Sequence, residues 1–91
     1  MAHVKTASGF EAEIDEAALD DYRLVKAIRA AQEEPTAIVD VVGFVLGADE
    51  PRLIDHLIAT NGRPTMEAIN TEVTEIFSQL TESKKKSSTS P

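Results

Sequence analysis

Pro35, Gly47, Gly62 and Pro64 cut the 91-residue chain into short segments, and each segment between them carries its own apolar stripe. Ala18, Tyr22, Val25 and Ile28, with Leu24 and Ala31 beside them, recur at helical spacing, while Arg23, Lys26 and Arg29 sit toward the flanks and the opposite side. This predicts an amphipathic helix from Glu16 to about Gln32, N-capped by Asp15 and ended by Pro35. Ile38, Val41, Val42 and Val45 form an i, i+3, i+4, i+7 stripe within Ala37 to Leu46, with Thr36 placed to cap its start and Gly47 its end. The same stretch is rich in Val, which argues strand, and Gly43 weakens either reading. The stripe favours a helix. Leu53, Ile54, Leu57 and Ile58 mark a third helix, opened by Asp49 and Pro51 and stopped at Asn61-Gly62. Met66, Ile69, Val73, Ile76 and Leu80, widened by Phe77, mark a fourth from about Met66 to Leu80, with Glu67, Glu72 and Glu75 off its stripe.

The two ends read differently. Met1 to Ser8 shows no periodic pattern, as expected of a flexible arm. Phe10, Ala12 and Ile14 alternate with Glu11 and Glu13, which is a strand signal. An unpaired strand would need an edge on a second copy or another protein; otherwise it is an extended arm. Residues 82–91 contain no apolar side chain and are expected to be a disordered tail. The expected architecture is all-α: a small bundle of about four helices forming a single domain over residues 9–81. To it are added a short N-terminal strand or arm, a flexible segment at 1–8 and the disordered tail.

Composition narrows the chemistry. There is no Cys, so a disulfide framework, a thiolate zinc site and a Cys nucleophile are excluded. The net charge is −7, and the tail from Ser83 removes three basic and no acidic residues, leaving six basic against sixteen acidic in the folded part. Such a surface repels phosphates and acidic membranes, so no nucleic-acid or membrane partner is expected. No signal peptide opens the chain and no apolar run is long enough for a membrane span, which leads to the expectation of a soluble intracellular protein. His3 and His56 lack a second histidine at ligand spacing, so no metal is expected. The acidic run from Asp15 to Asp21 lacks the glycine-containing calcium-loop pattern, and no Ser stands in the Asp-Ser-Leu turn of a carrier protein. No catalytic group or cofactor site can be assembled, so the chain is read as a non-enzyme.

What remains is apolar surface in excess of the stripes. Val39 and Phe44 point off the main stripe of the second helix. Either they help fill the one core with Tyr22, as in small bundles that bury helices on most sides, or they sit at a seam between copies or in a partner groove. On the second reading they are the candidate partner-binding residues, together with Phe10 and with Tyr22 at their flank.

Gly9-Phe10-Glu11, Ile14-Asp15-Glu16 and Leu19-Asp20-Asp21-Tyr22 resemble the opening of small acidic tail assembly chaperones of long-tailed, siphovirus-like phages. Leu46-Gly47, His56-Leu57, Asn61-Gly62-Arg63-Pro64-Thr65 and the run from Glu72 to Phe77 resemble the rest of that pattern, so the resemblance spans about Gly9 to Leu80. It implies a non-enzymatic helical protein of the host cytoplasm, self-associating, that coats the tape measure protein and helps recruit the tail tube protein. Lys84-Lys85-Lys86 is encoded by a nearly continuous run of A, text on which a ribosome can slip; genes of such chaperones look similar and often make a longer minority product by frameshift. The acidic charge also motivates an alternative, a DNA-mimic or adaptor that inhibits or bridges a basic protein.

Overall fold

The computed structural model describes the backbone of residues 1–88 and the side chains of residues 1–83. Two strands, β1 (Ala2–Lys5) and β2 (Glu11–Ile14), pair antiparallel with Val4 opposite Ala12 and Lys5 opposite Glu11. The helices α1 (Tyr22–Glu33), α2 (Ile38–Leu46), α3 (Glu50–Asn61) and α4 (Met66–Ser88) follow. The chain is therefore mostly helical, as expected, but a two-stranded hairpin packed on the helices stands in place of the single strand or arm expected at the N-terminus.

The hairpin overturns the reading of residues 1–8 as a flexible arm. Thr6 donates its backbone N–H to Phe10 O at 2.9 Å, and Gly9 donates to Thr6 O at 2.9 Å, closing a three-residue loop of Ala7, Ser8 and Gly9. Gly9 has φ +99°, the left-handed conformation this loop length needs and other residues adopt at a cost. Ala2, Val4 and Thr6 face inward opposite Ile14, Ala12 and Phe10, and Val4 is 0% exposed. The strand signal at Glu11 to Ile14 thus finds its partner within the chain.

The helices stand about where expected with shifted ends, but the buried face of α1 centres on Leu24, and Tyr22 and Val25, expected on its stripe, are exposed, as is Ile58 of α3. Asp15 caps a short 3-10 turn, Glu16–Asp20, by accepting from the Ala17 N–H at 3.0 Å. Asp21 then caps α1 by accepting from the Arg23 N–H at 2.8 Å. The single helix expected from Glu16 is divided because the acidic run holds two good N-caps six residues apart. The stretch expected as helix over Ala37 to Leu46 is helical from Ile38, as its stripe indicates; Pro35–Ala37 is a 3-10 turn that precedes it, and Thr36 makes no side-chain cap. Asp49 does not cap α3 with its side chain either, because its carboxylate pairs with Arg52 at 3.0 Å. Thr65 caps α4 through Oγ1, which accepts from the Ala68 N–H at 3.1 Å.

Helix α4 continues to Ser88, past the expected end at Leu80 and into the segment expected to be disordered; residues 89–91 lie outside the described residues. Nothing between Leu80 and Ser88 is a Pro or Gly, and Glu and Lys are good helix formers. The core gathers Val4, Ile14, Leu24, Val41, Leu53 and Ile76 among others, drawn from both strands and every helix.

Ile14 belongs to that core at 3% exposure. Ile14→Ala is expected to lower unfolding free energy by about 2–5 kcal/mol, measured by urea denaturation. An unchanged midpoint would mean that the hairpin is not part of the cooperative unit.

Candidate functional site

Two features stand out, on opposite flanks of α4. The first is a polar clasp. Glu72 follows Ile69 by three residues, which puts it beside the apolar stripe, and it is only 3% exposed. Its carboxylate accepts the Thr6 hydroxyl at 2.7 Å and the Ser8 hydroxyl at 3.0 Å. Glu72 lies off the stripe, as its spacing indicates, yet it is buried, and a charge can be buried here because two hydroxyls compensate it. Glu75 accepts the Ala7 N–H at 2.7 Å. Gln79 takes the Lys5 N–H at 2.9 Å and donates to the Lys5 carbonyl at 2.6 Å, so its amide stands in for a third strand at the edge of β1.

His56 joins the clasp from α3. Both hydroxyls reach Glu72, and Thr6 Oγ1 also lies 3.1 Å from Ser8 Oγ. His56 Nε2 lies 3.1 Å from the Ser8 carbonyl, which can only accept, so Nε2 bears a proton. It presents that same N–H to Ser8 Oγ, also at 3.1 Å. The contacts of Ser8 with His56 and Glu72 anchor the hairpin loop to α3 and α4.

The outer face of the hairpin carries His3 between two carboxylates, Nε2 at 2.9 Å from Glu11 and Nδ1 at 3.2 Å from Glu13. The hydrogen bond to Glu13 first, and that to Glu11 next, raise the His3 pKa. Among the described residues no group of three or more such side chains is arranged to hold a metal ion.

The second feature is an apolar groove of about 600 Å³ between α1, α2 and α4. Ile28 and Ala31 line it from α1, Ile38 and Val41 from α2, and Met66, Val73 and Phe77 from α4. Pro35 and Thr36 close one side, while Gln32, Glu67, Asn70 and Thr74 give it polar groups. Its floor reaches the core, since Val41 is fully buried. A concave apolar surface with a few polar groups is the usual form of a binding site.

None of the four sequence-derived partner residues lines this groove. Phe10 is 3% exposed, covered by His56 at 5.9 Å between ring centroids and by Arg52 at 5.4 Å from its centroid. It is a core residue and not an available contact. Phe44 is half-buried, with the Arg23 guanidinium 5.1 Å over its ring. Tyr22 and Val39 are exposed, at 77% and 54%. The groove residues that the sequence reading passed over had been assigned to the core by their stripes.

Comparisons with protein family models, with curated proteins and with solved structures find no match to this chain. No helix among the described residues is long and apolar enough to cross a membrane.

Replacing Glu72 by Ala strips the buried Thr6 hydroxyl and the more exposed Ser8 hydroxyl of their acceptor. The expected loss is about 1–3 kcal/mol of stability, with faster amide exchange at Ala7 and Ser8 than at β1. For His3, a proton NMR titration is expected to give a pKa above the usual value of about 6.5, falling in Glu13→Gln. The sign follows from the raised value. The His3 contribution to hairpin stability is complete below about pH 6.5 and disappears as pH rises through the folded-state pKa.

Proposed function

We propose that this chain is a tail assembly chaperone of a long-tailed phage: a non-enzymatic protein of the host cytoplasm that binds the tape measure protein and keeps it soluble while the tail is assembled. The observation that carries this reading is the apolar groove between α1, α2 and α4, set in a chain of net charge −7. The groove offers a client an apolar contact, and the surrounding negative charge keeps the loaded complex dispersed. The resemblance from Gly9 to Leu80 supports the same reading. In it the tail tube protein is a second partner, and copies of the chain associate through exposed side chains such as Tyr22 and Val39. A longer frameshifted product would begin with the residues up to about Lys86.

The test is co-expression with the tape measure protein of the same phage. The wild-type chain is expected to co-purify with it and to raise its soluble fraction. Met66→Asp places a charge on a half-exposed groove residue and is expected to weaken capture by about tenfold or more, with the melting temperature little changed. Raising salt from about 0.1 to 0.5 M should leave most of the complex intact, because an apolar contact is not screened. An acidic mimic of DNA would instead bind a basic enzyme and lose that binding over the same range. A tape measure protein that stays equally insoluble with and without the chain would refute the chaperone reading.

A further inference from the structure

We infer that the groove is fitted to an amphipathic helix of about three turns that carries lysine or arginine at the pole lying over Glu67. This deepens, and rests on, the reading of the groove as a client site. The length comes from α4, whose lining residues run from Met66 to Phe77, about 16 Å of helix at 1.5 Å per residue. The secondary structure of the occupant follows from hydrogen bonding. Helical walls offer no free backbone edge, so an extended peptide would carry buried N–H and C=O groups into an apolar groove. A helix brings its backbone already paired and needs only a stripe of side chains.

Charge selects among helices. Among the described residues Glu67 is the sole charged one lining the groove, and Glu33 and Glu34 lie in the chain between two further lining residues, Gln32 and Pro35. Helix α1 ends there, at Glu33, with no basic residue in its last turn, so its carbonyl pole adds to the negative potential. Arg29 and Arg63 belong to neighbouring stretches, but neither lines the groove. An anionic lipid or fatty acid would bring its head group to a lining that has no cation. A second copy of this chain would bring a further −7. A helix with a basic pole is the occupant this electrostatic pattern favours.

The experiment uses the full chain and two fluorescent twelve-residue peptides, side-chain stapled so that they stay helical in water. Both share one Leu/Ile stripe; one carries three Lys in a terminal turn and the other three Glu. A third peptide has the Lys peptide's composition with the stripe scrambled. Anisotropy at low salt is expected to show the Lys peptide binding at least fivefold more tightly than the Glu peptide, and the scrambled peptide not binding. Glu67→Lys is expected to abolish that preference, and Met66→Asp to weaken the Lys peptide. Equal binding of Lys and Glu peptides, a preference unaltered by Glu67→Lys, or no binding of either striped peptide would overturn the inference. So would sedimentation showing that the wild-type chain forms a dimer that Met66→Asp dissolves, since a second copy would then fill the groove. Capture of the tape measure protein without peptide binding would sink this inference and leave the chaperone reading standing. Peptide binding with no effect on the tape measure protein would do the reverse.

Discussion

One buried carboxylate joins the two ends of this fold. Glu72 sits beside the apolar stripe of α4, where a charge is costly unless its oxygens are satisfied, and the hydroxyls of Thr6 and Ser8 satisfy them. The dependence runs both ways. A two-stranded hairpin is marginal in water by itself. It persists here because α4 presents Glu72, Glu75 and Gln79 along one flank to the loop and to the edge of β1. The loop itself turns at Gly9, whose positive φ lets the chain double back within three residues.

The helices were legible because each carries its own stripe and its own punctuation. Their starts were less so. Asp15 and Asp21 are equally good caps, and only the packing of the turn between them decides that the first opens a 3-10 turn and the second opens α1. The hairpin was half visible. Phe10, Ala12 and Ile14 alternate clearly, whereas the inward residues opposite them are Ala2 and Val4 of β1 and Thr6 just after it, only one of which is strongly apolar. Its anchor was invisible, since Glu72 and Thr6 are 66 residues apart and a glutamate on a helix ordinarily reads as solvated. The prolongation of α4 past Leu80 follows from helix-forming residues in a polar segment whose composition pointed to disorder.

The candidate site was less legible than the fold. Of the four candidate contacts, Tyr22 and Val39 are exposed, Phe44 is half-buried and Phe10 is buried. Phe10 reads as a spare aromatic until Arg52 and His56 are seen to cover it. Ile28, Ile38, Val73 and Phe77 read as core because each lies on a stripe, yet their helices leave a groove where the stripes face one another. Whether stripes on three helices meet or stop short depends on the spacing between helices, which no single-sequence period encodes.

Clasp and groove are two consequences of one helix orientation. Around α4 the hairpin contacts Glu72, Glu75 and Gln79, the core takes Ile69, Ile76 and Leu80, and the groove takes Asn70, Thr74 and Phe77 on the other side. A slip of one residue would rotate the helix by about 100°. It would turn a glutamate out of its hydroxyl partners and move Val73 out of the groove wall. The polar contacts of the hairpin have a strict geometry that apolar packing lacks, since hydrogen bonds weaken steeply with misalignment while apolar contact is non-directional. The clasp therefore sets the rotation of α4, and through it the face that the helix shows to the groove. A small chain without disulfides can in this way hold an apolar surface open beside its core, because directional bonds on the far flank keep the helix from turning that surface inward.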